Sequence, residues 1–419
     1  MHVTVGVPVS VGATSLGRNS IIVTALCAAV ALIDGLDTQS IGLVAPAIAQ
    51  ALHAPPAAFG PIFGAGLLAG TVGAFVFGMM ADRWGRKPVL IAATLLFAIC
   101  SIATIWAGSL HALLLARIAT GFGLGGALPI IISITSECAP AATRTRTVAL
   151  MYCGFPLGSV LGGVATALLA PTYGWQSIFL LGGILPLLLL PLLIAFLPSS
   201  TNHQRRDRAT SPAGAVARRP VALLFTDGRA VATLLIWSTL FLSLLLTVFM
   251  VNWIPLIARS AGLGMQASVL AVSILNVGGI FGGIVIGRFC DTMRSSVPVA
   301  LGYAAGAPAV AALGILSRSA PELLLAAFVA GFLTIGAQMS AIAISSRLYP
   351  DAVRSTGVGY AFGVGRVGAV VGPVLGGVLV GAALPSAILF LIAGGVAAAA
   401  AVTSGAIRRH MLEEAPVAG

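Results

Sequence analysis

The stretch IIVTALCAAVALIDGLDTQSIGLVAPAIAQAL, residues 21–52, is apolar over a length that can cross a bilayer, for which about 20 residues suffice, yet Asp34 and Asp37 lie inside it. An ionisable side chain at the centre of a membrane helix costs roughly 2.5–3.5 kcal/mol on insertion scales. Residues three apart share a helical face, so the two carboxylates meet one environment. Two like charges this close in low dielectric do not both ionise readily, and at least one is expected to hold a proton near neutral pH. Intramembrane ionisable residues are functional by default, which makes the pair a candidate proton-coupling site. The bland alternative is a pair of structural counter-ions for membrane arginines. Gly35, between them, lets a neighbouring helix approach.

The rest of the chain has the same character. Over 419 residues it is 58% hydrophobic and 8% charged, with a mean hydropathy of +1.07. That balance excludes a soluble domain and predicts an all-α membrane protein. Twelve spans are expected, at about 20–48, 58–81, 88–108, 111–135, 146–170, 175–197, 230–257, 267–290, 297–316, 321–346, 354–381 and 384–407. With both termini in the cytoplasm, 18 of the 22 Lys and Arg fall on the inward side. Outward loops hold Arg259 and Arg318, and the membrane holds Arg117 and Arg366. This positive-inside asymmetry accounts for the net charge of +11 without a nucleic-acid partner.

Other chemistries find little support. The five cysteines (27, 100, 138, 153, 290) have no paired spacing, so neither a disulfide framework nor a zinc site is expected. The histidines, at 2, 53, 111, 203 and 410, lie in loops or at span edges, which leaves no membrane histidine relay. Residues 1–19 read as a cytoplasmic segment without a signal peptide, the first span being the targeting signal. No cofactor is expected beyond protons as the coupling ion.

A polar insertion, Ser199–Arg229, reads as a cytoplasmic linker (residues 198–229) between six-span halves, 20–197 and 230–407, with a tail at 408–419. The halves echo one another. Gly78-x-x-x-Asp82 matches Gly287-x-x-x-Asp291, Pro140-x-x-x-Arg144 matches Pro350-x-x-x-Arg354, and GSVLGGV from Gly158 matches GPVLGGV from Gly372. Two repeated six-helix bundles describe a secondary transporter, with its site between the halves near mid-membrane.

The loop after span 2, Gly78-Met-Met-Ala-Asp82-Arg83-Trp84-Gly85-Arg86-Lys87, resembles the loop 2–3 signature of the major facilitator superfamily at every fixed position. In that family the glycine lets spans 2 and 11 approach, and the charges form a cytoplasmic gate network. The resemblance therefore implies a gating role for Gly78, Asp82, Arg83, Gly85, Arg86 and Lys87, with Glu137 as a partner for Arg83 or Arg86. A closer resemblance is to the aromatic acid:proton symporter branch. It is carried by Asp34-Gly35-x-Asp37-Thr38, by Arg117-x-x-x-Gly121-x-Gly123-x-Gly125-Gly126 with Thr135-Ser136-Glu137, by Asn252-Trp253-x-Pro255, by Asn276-x-Gly278-Gly279, and by Tyr349-Pro350 through Arg366. It runs from about residue 20 to 385. Two departures stand out: Pro198-Ser199-Ser200 replaces the usual Pro-Glu-Ser, and Ile342 stands where the branch often has an asparagine.

An aromatic acid needs a buried cation, apolar or aromatic walls and a few hydrogen-bonding groups. Arg366 is the expected partner of the substrate carboxylate. Arg117 is expected to tune the protonation of Asp34 and Asp37, with Glu137 in the same proton-coupling set. The reverse assignment of the arginines, or a structural role for both, stays open at this stage. Asn276, Gln338, Tyr360 and Tyr152 are candidate substrate ligands. Trp84, Trp106, Trp175 and Trp253 read as an aromatic belt, and Trp237 as core. The expected protein is a monomeric importer of a small aromatic carboxylate in the bacterial inner membrane. A proton-coupled exporter is the alternative, although span 5 lacks the antiporter signature. A sensor or a membrane enzyme fits less well.

Overall fold

The computed structural model describes residues 13–140, 143–198, 222–226, 229–293, 295–316, 319–345, 348–349 and 354–413. Most of the expected linker, together with Arg318 and Pro350, lies outside the described residues, as do residues 1–12 and 414–419.

Every expected span is a helix. They are α1 (Ala13–Ala51), α2 (Phe59–Trp84), α3 (Arg86–Ala103), α4 (Leu110–Cys138), α5 in two pieces (Arg144–Tyr152 and Gly154–Tyr173), α6 (Gln176–Phe196), α7 (Ala230–Ser260), α8 (Met265–Met293), α9 (Val297–Leu313), α10, α11 (Arg354–Gly381) and α12 (Ser386–Glu413). Helix α10 runs from Ala320 to Ser345, with a π-helical turn at Gly331–Ile335. Among the described residues, eleven helices are long and apolar enough to cross a membrane, and α9 is a shorter apolar helix. Only closed internal hydrogen bonding is affordable in hydrocarbon, so an uninterrupted apolar run has to be helical there. Large apolar side chains such as Phe75, Leu188, Leu301 and Val402 point outward, as expected where the surrounding solvent is lipid.

Local signals set the helix ends. Ser109 accepts a hydrogen bond from the Ala112 amide and caps α4. Gly85 turns α2 into α3 at φ 98°, a left-handed value that favours glycine, and so explains its place in the charged loop.

Among the described residues, one buried apolar cluster is shared by the two bundles, and it lies at one end. It joins Ile48, Phe59 and Phe63 of one half to Phe249, Trp253 and Val272 of the other. Trp253 does not belong to an aromatic belt. It is fully buried in this seal, edge-on to Phe63, and its indole N–H donates to the Pro373 carbonyl at 3.2 Å. Trp175 is buried against Phe179 as well, whereas Trp84 and Trp106 are exposed as a belt requires. At the opposite end each half keeps its own cluster, around Phe97 in one and Tyr303 in the other. The α2–α11 contact follows the same division. A Cβ on Gly60 would lie 2.9 Å from the Gly377 Cα, while Gly78, Gly359 and Gly363 have open space around them among the described residues. Among the described residues, the halves are packed together near the α1–α2 connection and leave open space around Gly78.

Within the first half, a Cβ on Gly158 would strike the Leu32 carbonyl of α1, and one on Gly35 would strike the Phe155 carbonyl of α5. Backbone, not a movable side chain, occupies the space. Gly158→Val is therefore expected to destabilise the protein by about 1–3 kcal/mol through overpacking. Gly395→Ala, with nothing within 4 Å, is expected to be neutral. Thermal melting in detergent would check this, and equal midpoints for the two variants would contradict the packing.

Candidate functional site

A cavity of about 290 Å³ lies between the halves, lined by residues of both. Helix α1 contributes Asp34, Asp37, Thr38 and Gln39, and α4 and α5 contribute Arg117, Tyr152 and Phe155. The other half contributes Thr247, Asn252, Asn276, Gln338, Phe362 and Arg366.

The two carboxylates, equivalent by sequence, differ in their surroundings. Asp37 is fully committed. Ser101 donates to its Oδ1 at 2.8 Å, and Arg117 lies 3.4 Å from its Oδ2. Gly182 makes the room, since a Cβ there would stand 2.9 Å from Asp37 Oδ1. Arg117, 5% exposed, also donates to Thr104 and Thr120 at 3.1 Å each and stacks 4.6 Å over the Phe179 ring. A buried guanidinium needs such a shell, because an uncompensated charge there costs several kcal/mol. Asp34 is equally buried but barely engaged: Thr38 donates to Oδ1 at 3.0 Å, and Oδ2 has no hydrogen-bond partner.

The two arginines differ in the same way. Arg366 is half-buried, lies 5.8 Å from the Phe362 ring centre, and makes no hydrogen bond or ion pair among the described residues. Asp34, Tyr152 and Arg366 lie within electrostatic reach of one another. The Tyr152 ring stacks on Phe155 with planes 16° apart and gives the cavity a flat aromatic wall.

Other candidates are sorted by the same geometry. Asn276 lines the cavity, but its amide is occupied: Nδ2 donates to Gln39 Oε1 at 3.0 Å and to the Val272 carbonyl at 2.9 Å. Gln39 donates back to Asn276 Oδ1 at 3.4 Å, so the pair bridges α1 and α8 across the halves. Gln338 lines the cavity beside Thr247. Tyr360, expected as a ring-stacking ligand, is not at the cavity. It is 46% exposed and stacks on Trp237, because six residues at 100° each turn it to a different face of α11 from Arg366. Trp237 is packed between Tyr360 and Phe225, as a core residue should be.

Glu137 lies apart from the aspartates and pairs with Arg86 at the end of α4. In the same loop Lys87 donates to the Leu197 carbonyl at 2.8 Å, and Asp82 and Arg83 are exposed. The polar residues that sequence reasoning missed are Gln39, Thr247, Ser101, Thr104 and Thr120. Single hydroxyls and amides in apolar helices give no local signal of their partners.

The pattern of the major facilitator superfamily matches residues 27–341. The chain belongs to that superfamily. It is 34% identical over 404 residues to the gallate transporter of Pseudomonas putida, covering 91% of this chain and 90% of the relative. It is 40% identical over 355 residues to the 3-(3-hydroxy-phenyl)propionate transporter of Escherichia coli K12, covering 84% and 85%. Among solved structures, a bacterial homologue of the human lysosomal transporter Spinster, inward-facing and unoccupied, superposes with a TM-score of 0.77 over 96% of this chain and 99% of that one, at 15% identity. The protein is thus a multi-pass membrane transporter whose relatives carry aromatic acids.

Arg117→Met is expected to cost about 3–5 kcal/mol by stranding the Asp37 carboxylate. Adding Asp37→Asn should recover part of that loss. Melting midpoints of the single and double variants would show it, and strictly additive losses would contradict a direct Asp37–Arg117 pairing.

Proposed function

We propose that this transporter imports a small aromatic carboxylate together with a proton across the bacterial inner membrane. The supporting observation is that one uncommitted cation, Arg366, and one uncommitted carboxyl, Asp34, border the same cavity. Arg366 is the partner for the substrate carboxylate, a bidentate match that guanidinium geometry favours. Tyr152 and Phe155 offer a face for the ring. The cavity volume, at the small end of ligand pockets, suits a single-ring acid better than a bulky drug. The two relatives are named for gallate and 3-(3-hydroxyphenyl)propionate, both ring acids.

Coupling follows from competition for one cation. An ionised Asp34 would compete with the substrate anion for Arg366; a protonated Asp34 leaves Arg366 to the substrate. Proton and anion therefore bind together and leave together, and one proton with one monovalent anion is electroneutral. Asp37, held by Arg117, fixes the charge balance around them. The positive-inside pattern supports a cytoplasmic Gly78–Lys87 loop, and on that reading the described state is open inward. Return to the outward state requires that loop to close, with the Arg86–Glu137 pair among its contacts.

Uptake of radiolabelled ring acids into proteoliposomes tests this reading. Wild-type protein should accumulate a ring acid faster as external pH falls, and a protonophore should abolish the accumulation. Asp34→Asn should lose accumulation but keep tracer exchange, because exchange needs no net proton movement. Arg366→Met should weaken binding about thirty-fold or more, the cost of removing one partner of a buried charge pair. Full uphill uptake by Asp34→Asn, or drug extrusion with no ring-acid uptake, would overturn the proposal.

A further inference from the structure

Resting on that reading, we infer that Gln338 and Thr247 form a subsite for a ring hydroxyl, so that the transporter selects hydroxylated over unsubstituted aromatic acids. Thr247 donates to Gln338 Oε1 at 2.5 Å, and both residues line the cavity. This leaves the Gln338 amide Nε2 with no partner among the described residues, and the Thr247 oxygen with free lone pairs. A phenolic hydroxyl fills both vacancies at once: its oxygen accepts from the amide and its proton goes to Thr247. The arrangement does not depend on which end of the amide meets Thr247. In either orientation the other end faces the cavity, and a hydroxyl can donate or accept.

The other side-chain amides on this side each already make a hydrogen bond. Asn276 and Gln39 bond each other, and Asn252 donates to the Val248 carbonyl while its Oδ1 packs against Gly42 of α1. Ile335, Met339 and Ile342 around Gln338 are apolar, so a hydroxyl bound here has few alternatives. Ile342, about one turn beyond Gln338 on α10, adds no polar group to that wall.

Placement along the helices fits a ring spanning two subsites. Gly368 lies against the Phe241 carbonyl and Gly372 against that of Leu245, so α7 and α11 run side by side in parallel register. Thr247 lies beyond Leu245, and Arg366 lies before Gly368. The hydroxyl subsite is therefore more than one helical turn, about 5.4 Å, further along than the cation. A benzene ring with a carboxylate at one end and a hydroxyl at the other bridges that separation. An unsubstituted ring leaves the Gln338 amide unsatisfied against an apolar face, which is the kind of contact that discriminates by hydroxyl.

The test is direct binding to the purified, full-length protein by calorimetry, using benzoate, 3-hydroxybenzoate and 4-hydroxybenzoate. Wild-type protein should bind at least one hydroxybenzoate about five-fold or more tighter than benzoate. Gln338→Leu and Thr247→Val should each bring that ratio close to one, chiefly by weakening hydroxybenzoate, with benzoate bound at least as tightly as by wild type. Benzoate binding also certifies that each variant is folded. Thr247→Ser, which keeps the hydroxyl, should keep the preference. No preference in wild type, or a preference that survives both Gln338→Leu and Thr247→Val, overturns the subsite and leaves aromatic-acid transport standing. Binding of none of the three acids overturns both.

Discussion

The structure depends on how charge is compensated in a low-dielectric bundle. Arg117 and Asp37 are each nearly inaccessible, and neither could remain ionised alone. Their mutual contact, with hydroxyls from Ser101, Thr104 and Thr120 and the Phe179 ring, ties α1, α3, α4 and α6 together at one depth. That shell takes one carboxylate and one arginine out of play. It thereby isolates the second carboxylate, Asp34, and the second arginine, Arg366, as the groups with chemistry left to offer.

Around this centre, movement is permitted by surfaces that are closely packed but weakly bonded. Glycines bring α1 against α5 and α2 against α11 at backbone distance, with few polar contacts to break. The closed end is sealed by apolar side chains and by the Gln39–Asn276 amide pair, which crosses from one half to the other. Such a seal can part when the halves rock, because each contact is individually small. The open end keeps separate cores in the two halves, so each bundle holds its own shape in either state.

Much of this was legible in the sequence, for physical reasons. Apolar runs of spanning length have one structural solution in lipid, so the helices and their order followed from hydropathy. Asp34, Asp37, Arg117 and Arg366 stood out because charges are costly in such runs. What sequence could not give was the register between helices. It could not tell which arginine meets which aspartate, or that Ser101, 64 residues away from Asp37, would bond it. Tyr360 has the aromatic chemistry of a ring ligand, but its position around α11 turns it away from the cavity and onto Trp237. Trp253 misled because closeness to a span end is also closeness to the seal between the halves. Asn276 reached the cavity as expected, but its amide is already taken by Gln39, a residue with no motif to mark it.

The central claim is that Asp34, and not Asp37, carries the proton that binds with the substrate. Calorimetric binding of a ring acid, repeated in buffers of different ionisation enthalpy, counts the protons taken up. Wild-type protein should take up a proton on binding near neutral pH, and Asp34→Asn should bind with none. Undiminished proton uptake in Asp34→Asn would contradict the account and move the coupling site elsewhere.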